Sequence, residues 1–273
     1  MPTVITEASV FGTTCTAPAD GDDLTAGSVT ASGVGFQELT NRTRYLKNKE
    51  THNGGILWNA EISNASGSTD IIIGPIQTLV LDSASLTKST TTTLPTSGLA
   101  ADTWYYLYVY HVAGVIGFEY STTVPDTART FKDGTVTYRY LGCFRTDGSS
   151  GILPFRALHG RYTFRRSAIA TYLIVLAAGN SASYADVALS SVMPPHSKIA
   201  LLHATAYNST ADIAVMGIRS NGDTATSIYL EGNNSSIGSL SLEIETDDRI
   251  IEYSINAAAG AEQAYIYANG FVE

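Results

Sequence analysis

Cysteine is scarce in this chain: 273 residues carry Cys15 and Cys143 and no third. One lies in a loose N-terminal arm and the other inside the strand-like run YRYLGCF. Neither a disulfide framework nor a paired-cysteine metal motif is expected, and the chain reads as one assembled in a reducing cytosol. Long apolar runs are scarce as well. The most apolar one, AIATYLIVLAA from Ala168 to Ala178, has about half the length needed to cross a bilayer and is expected to be a buried strand. The opening MPTVITEASVF has no basic stretch and no long apolar core, so no secretory signal is expected there. Basic charge is thin: 16 Lys and Arg against 25 Asp and Glu leave a net charge of −9. The basic residues are scattered, which argues against nucleic acid as a partner, since phosphate contacts need them clustered. One short cluster, RYTFRR from Arg161 to Arg166, suits either a grip on an anionic glycan or, in the preferred reading, a solvated junction between domains.

Motifs of catalysis are missing too. There is no G-x-S-x-G elbow, no H-E-x-x-H and no phosphate-cradling G-x-x-x-x-G-K-[ST]. His52, His111, His159, His196 and His203 are dispersed with no local spacing that builds a metal site. A Ser, His and Asp triad assembled in space is not visible to such a search. No catalytic residue, no metal ligand and no cofactor is therefore expected, and the chain is expected not to be an enzyme. Asp20, Asp22 and Asp23 offer oxygen ligands but lack EF-hand spacing and its distal Glu, so they read as a turn in the arm. Asp247 and Asp248 read as a polar connection between strands. Asn64, Asn208 and Asn234 open N-x-Ser/Thr triplets, which mean little without a secretory route.

What is present begins with the arm, TTCTAPADGDDLTAGSVTASG from Thr13 to Gly33. Its few large apolar groups cannot offset the entropy of ordering it, so a partner should order it. It runs into GFQELTNRTRYLKNKE, where Phe36, Leu39, Thr43 and Leu46 recur at helical spacing and form one stripe. Glu38 near the start and Lys47 and Lys49 near the end match the helix dipole, and Asn53, Gly54 and Gly55 terminate it. A helix of about four turns is marginal alone in water. Its stripe should pack against copies of itself, or against this chain's own β-structure.

Everything afterwards is expected to be antiparallel β. Residues 55–163 alternate runs of β-branched and aromatic residues (IIIGPIQTLVLD, TWYYLYVYHV, VIGFEYS, TVTYRYLGCF) with turn clusters such as FKDGT and TDGSSG, the pattern of a β-sandwich. Trp104, Tyr106, Tyr108 and Tyr110 would share one strand face and Tyr105, Leu107 and Val109 the other. The aromatic row could stack on sugar rings, but the structural reading, a strand buried on both faces, is preferred. Residues 164–273 repeat the β signals in a second, jelly-roll-like sandwich. There SLSLEIE places Leu240, Leu242 and Ile244 inward and Ser241, Glu243 and Glu245 outward. No 20–50-residue repeat is evident.

The order of the APADGDD arm, the helix with LTNRTRYLK, the domain with WYYLYVY, YRYLGCF and RTDGSSG, and the terminal YIYANGFVE resembles bacteriophage and prophage tail-fibre-type virion proteins. The likeness runs over nearly the whole chain and implies a structural virion protein exposed on the particle, with an N-terminal attachment arm and helical neck over residues 1–54. By that likeness Asp20, Gly21, Asp22, Asp23 and Leu24 belong to the arm that docks on other virion proteins. Phe36, Leu39, Thr43 and Leu46 belong to a neck that gathers three copies. Without a repetitive shaft, the chain resembles a short fibre, adaptor or decoration more than a long leg. Its C-terminal domain would be distal, with SNGD (Asn221, Asp223) and EGNNSS (Asn233, Asn234) as candidate loops for a bacterial surface glycan or protein receptor. A free-standing carbohydrate-binding module is the rival expectation, and a glycan-cleaving enzyme with a carboxylate pair the third.

Overall fold

The computed structural model describes residues 61–64, 67–81, 84–165, 173–208, 213–224, 228–233, 237–256 and 262–273. The arm residues Asp20 to Leu24 and the neck stripe Phe36, Leu39, Thr43 and Leu46 lie outside the described residues. Among the described residues, 78–81 and 84–86 fall in one unit and all the others in a second.

As the sequence predicts, the protein is mainly β, with several antiparallel sheets and no helix among the described residues. The largest sheet has nine strands: β1 (Ile62–Asn64), β2 (Asp70–Ile73), β5 (Thr92–Pro95), β10 (Phe155–Leu158), β11 (Arg161–Phe164), β12 (Ile174–Gly179), β14 (Ile199–Asn208), β17 (Ile237–Glu245) and β19 (Glu262–Val272). Its order is β17-β14-β19-β11-β10-β1-β2-β5, with β12 also paired to β19. A four-stranded sheet runs β13 (Ala185–Ala188), β18 (Ile250–Ile255), β15 (Ile213–Ser220), β16 (Ile228–Asn233). A second runs β7 (Val115–Ser121), β6 (Trp104–Val112), β9 (Thr135–Arg145), β8 (Phe131–Lys132). The hairpin of β3 (Ile76–Leu81) and β4 (Ala84–Lys88) stands as a two-stranded sheet.

The expected division at 163/164 falls inside β11, and β11 pairs with β19 through Arg161↔Val272, Tyr162↔Phe271 and Thr163↔Gly270. Strands from both sides of that line therefore share one sheet. The physical reason is the edge of β11: left open it would present a row of unpaired N–H and C=O groups, and the last strand of the chain covers it.

Alternation along β17 follows the sequence: Leu242 and Ile244 are buried while Ser241, Glu243 and Glu245 are exposed. Tyr106 and Tyr108 in β6 are 2% and 0% exposed, so the middle of the aromatic row is core, while Trp104 and Tyr110 at its ends are half-buried. Tyr108 donates its hydroxyl to Thr123 O at 2.6 Å, which satisfies the one polar atom of a fully enclosed ring. Of the buried strand expected between Ala168 and Ala178, residues 168–172 lie outside the described residues and Leu173 is buried, but the rest is corrected: β12 holds Ile174 to Leu176 half-buried and Ala177 and Ala178 exposed. Among the described residues it pairs with β19 alone, through two register shifts, and an edge strand with broken register keeps one side in water.

Candidate functional site

The sequence-selected loops separate. Asn221 and Asp223 precede β16 and Asn233 ends it, so the six-residue strand holds the two groups about 20 Å apart. Asn234 lies outside the described residues. Asn221 is exposed, and its side-chain amide donates to Asp248 Oδ2 at 2.5 Å. Asp248 Oδ1 accepts Ile250 N at 3.0 Å and Thr246 Oγ1 at 3.2 Å. These bonds, led by the one from Asn221, hold the Asp248 carboxyl below the ordinary carboxylate value, and they fasten the SNGD turn to the TDDR turn.

A second place emerges from the register of three long strands. His203, Thr205 and Tyr207 of β14 lie opposite Tyr267, Tyr265 and Gln263 of β19 and opposite Ser241, Ser239 and Ile237 of β17. Alternation puts all nine on one face, away from the buried Ala204, Ala206, Ala264 and Ile266. Seven of them line an open groove of about 470 Å³. The Tyr265 and Tyr267 rings lie nearly parallel at 6.5 Å, the His203 ring sits 6.2 Å from Tyr267, and His203 Nδ1 lies 3.2 Å from Ser241 Oγ. Past Ser241 the same face continues into a second depression of about 490 Å³, bordered by Arg161 and Glu243, which pair at 2.6 Å. Phenol rings, hydroxyls and an amide along one face offer flat apolar area with hydrogen-bonding tips, a surface that suits a polyhydroxylated ring.

The third place is a polar knot in the interior. The carboxylate oxygen Oε1 of Glu273 accepts the Tyr140 hydroxyl at 2.5 Å and the Cys143 thiol at 3.2 Å, and lies 2.9 Å from His196 Nε2. Tyr140 Oη lies 3.0 Å from the same His196 nitrogen. Residues 140 and 143 are an odd number apart and would face opposite ways on a regular strand. The register of β6 with β9 jumps between Leu107↔Gly142 and Tyr108↔Tyr140, so Leu141 is an extra residue and both side chains turn to one side. A like jump in β19, from Leu201↔Gly270 to Leu202↔Ala268, makes Asn269 the extra residue and brings Phe271 to the core face occupied by Ala268. Glu273 follows Phe271 by two residues, and its backbone N–H is held by Gly160 O at 2.9 Å. Rings of Tyr140 and Tyr106, at 5.5 and 5.6 Å, brace His196.

Burial above all pushes the Cys143 thiol well up, and the Glu273 carboxylate beside it adds to the shift. Burial, then Cys143 and Glu273, does the same for the Tyr140 phenol. Both groups stay protonated at neutral pH. The carboxylate stands between thiol and imidazole, where a nucleophilic triad needs the imidazole between the other two. The knot is therefore not arranged as an activated cysteine. Sequence reasoning passed over Cys143, His196 and Glu273 because separations of 77 and 130 residues leave no local spacing to notice.

No family model, curated protein or solved structure matches the chain.

Proposed function

We propose that this chain is a structural protein of a phage-type virion, a short fibre, fibre-adaptor or decoration appendage. In this reading the arm around Asp20 to Leu24 docks on other virion proteins and the stripe Phe36, Leu39, Thr43 and Leu46 gathers three copies. The β-rich body faces the host and binds its surface. The observation that carries the binding role is the groove along β14, β17 and β19, where Tyr207, Tyr265 and Tyr267 stand beside Gln263 and His203 on one open face. The motif order from arm to YIYANGFVE supports the virion part. The same groove serves the rival, a free-standing carbohydrate-binding module, and association separates the two. Light scattering on the purified full chain gives the mass of three chains if the appendage reading holds. A stable monomer that binds free oligosaccharide would favour the module.

A further inference from the structure

We propose that Cys143, His196 and Glu273 bind a divalent transition-metal ion, with zinc the ion that the donor set suits best. The proposal concerns the interior knot and does not depend on the groove or on the virion reading. Thiolate sulfur, imidazole nitrogen and carboxylate oxygen together are the donors zinc takes, whereas calcium and magnesium sites are built from oxygen. The three donor atoms lie within 4.8 Å of one another. Two of the separations are 3.2 Å for Cys143 Sγ to Glu273 Oε1 and 2.9 Å for His196 Nε2 to Glu273 Oε1. Ordinary zinc bond lengths in a tetrahedron place such donors roughly 3.3–3.6 Å apart. These two pairs therefore need to open by only a few tenths of an ångström, while Cys143 Sγ and His196 Nε2, within 4.8 Å of each other, draw in onto the ion.

The frame around these donors is a second, independent pointer. Two β-bulges, at Leu141 and at Asn269, each spend an extra residue that turns ligand-bearing strand segments to the same side, and bulges of this kind gather next to functional sites. The arrangement also crowds one oxygen: Tyr140, Cys143 and His196 all converge on Glu273 Oε1. A cation at the centre of the trio takes the place of that crowding. On binding, the Cys143 thiol proton leaves to solvent, the sulfur bonds as thiolate, and neutral His196 donates the Nε2 lone pair, so one proton is released per ion. The fourth position goes to water. His196 and Glu273 keep 14% and 11% of their side chains accessible, which gives ion and water a way in. Tyr140 remains an outer partner that orients the carboxylate.

The test uses the full-length protein stripped with a chelator and titrated with cobalt(II), whose thiolate charge-transfer and tetrahedral d–d bands report the ligands. The expected result is saturation at one ion per chain, displacement of cobalt by zinc, and a zinc-dependent rise in Tm. Cys143→Ser should abolish the charge-transfer band and His196→Gln should weaken binding by at least about 100-fold. Cys15→Ser, which removes the other cysteine, should leave the band intact. Wild-type protein that takes up no stoichiometric zinc or cobalt, or a band that survives Cys143→Ser and vanishes with Cys15→Ser, overturns the proposal. The wild-type uptake measurement decides the matter even where a variant fails to fold.

Discussion

The phenol oxygen of Tyr162 accepts the backbone N–H of Cys143 at 2.9 Å, fastening β11 of the nine-stranded sheet to the bulge of β9. The Tyr162 ring in turn stacks on Phe271 at 4.3 Å with 14° between planes. One buried side chain thus joins the strand that carries Cys143 to the strand that ends next to Glu273. Tyr162→Phe keeps the stack and removes the acceptor, which leaves a buried N–H without a partner. The expected loss is about 1–3 kcal/mol in denaturant unfolding. An unchanged midpoint would mean that water reaches the amide.

Two glycines permit Tyr162 to sit where it does. A Cβ on Gly142 would lie 2.2 Å from the Tyr162 hydroxyl oxygen, and one on Gly270 would lie 1.9 Å from the Tyr162 carbonyl oxygen. A phenol tip can shift and a paired backbone cannot. Gly142→Ala should therefore cost about 1–3 kcal/mol and Gly270→Ala about 3 kcal/mol or more. Urea unfolding of both variants checks the order, and a reversed order would contradict the registers of β9 and β19.

The SNGD and TDDR turns offer a titration. Because the folded-state pKa of Asp248 is depressed, its contribution to stability is present above the ordinary value of 3.8 and is lost as pH falls through the folded value. Asn221→Ala removes the largest cause of that depression. Asp248 in the variant should titrate at higher pH by carboxyl-carbon NMR, with a shallower loss of stability on acidification. Identical titration curves would show that the amide contributes nothing.

Tyr265 tests the groove. Its ring is half-buried and its hydroxyl donates to Gln263 Oε1 at 2.8 Å, so it holds the amide in place as well as offering a face. Against an array of bacterial lipopolysaccharide and capsular oligosaccharides, Tyr265→Ala should weaken any wild-type binding about 3–10-fold while leaving Tm close to wild type. Equal binding by variant and wild type would move the contact surface elsewhere.

Much of this architecture was legible in the sequence because strands with one wet face write their alternation plainly. SLSLEIE showed which side of β17 meets water, and the aromatic run showed a strand buried on both faces, as Tyr105 to Val109 are. Register was not legible. The extra residues Leu141 and Asn269 reverse the alternation within β9 and β19, and a period-2 pattern assigns Tyr140 and Cys143 to opposite faces. The shared sheet was hidden for a related reason, since the pairing of β11 with β19 joins residues more than a hundred positions apart. The groove was half visible: Tyr265 and Tyr267 alternate within YIYANGFVE, but only register sets them opposite Thr205 and His203.

In the function proposed above, the arm anchors this chain to a virion. Antibody labelling of particles made by the genome that encodes the chain, comparing the chain with a deletion of residues 1–32, tests this anchoring. Label is expected on wild-type particles and none on particles made with the deletion, whose β-body remains folded by circular dichroism. Particles that carry no label with the full-length chain, or equal label with the deletion, would contradict it.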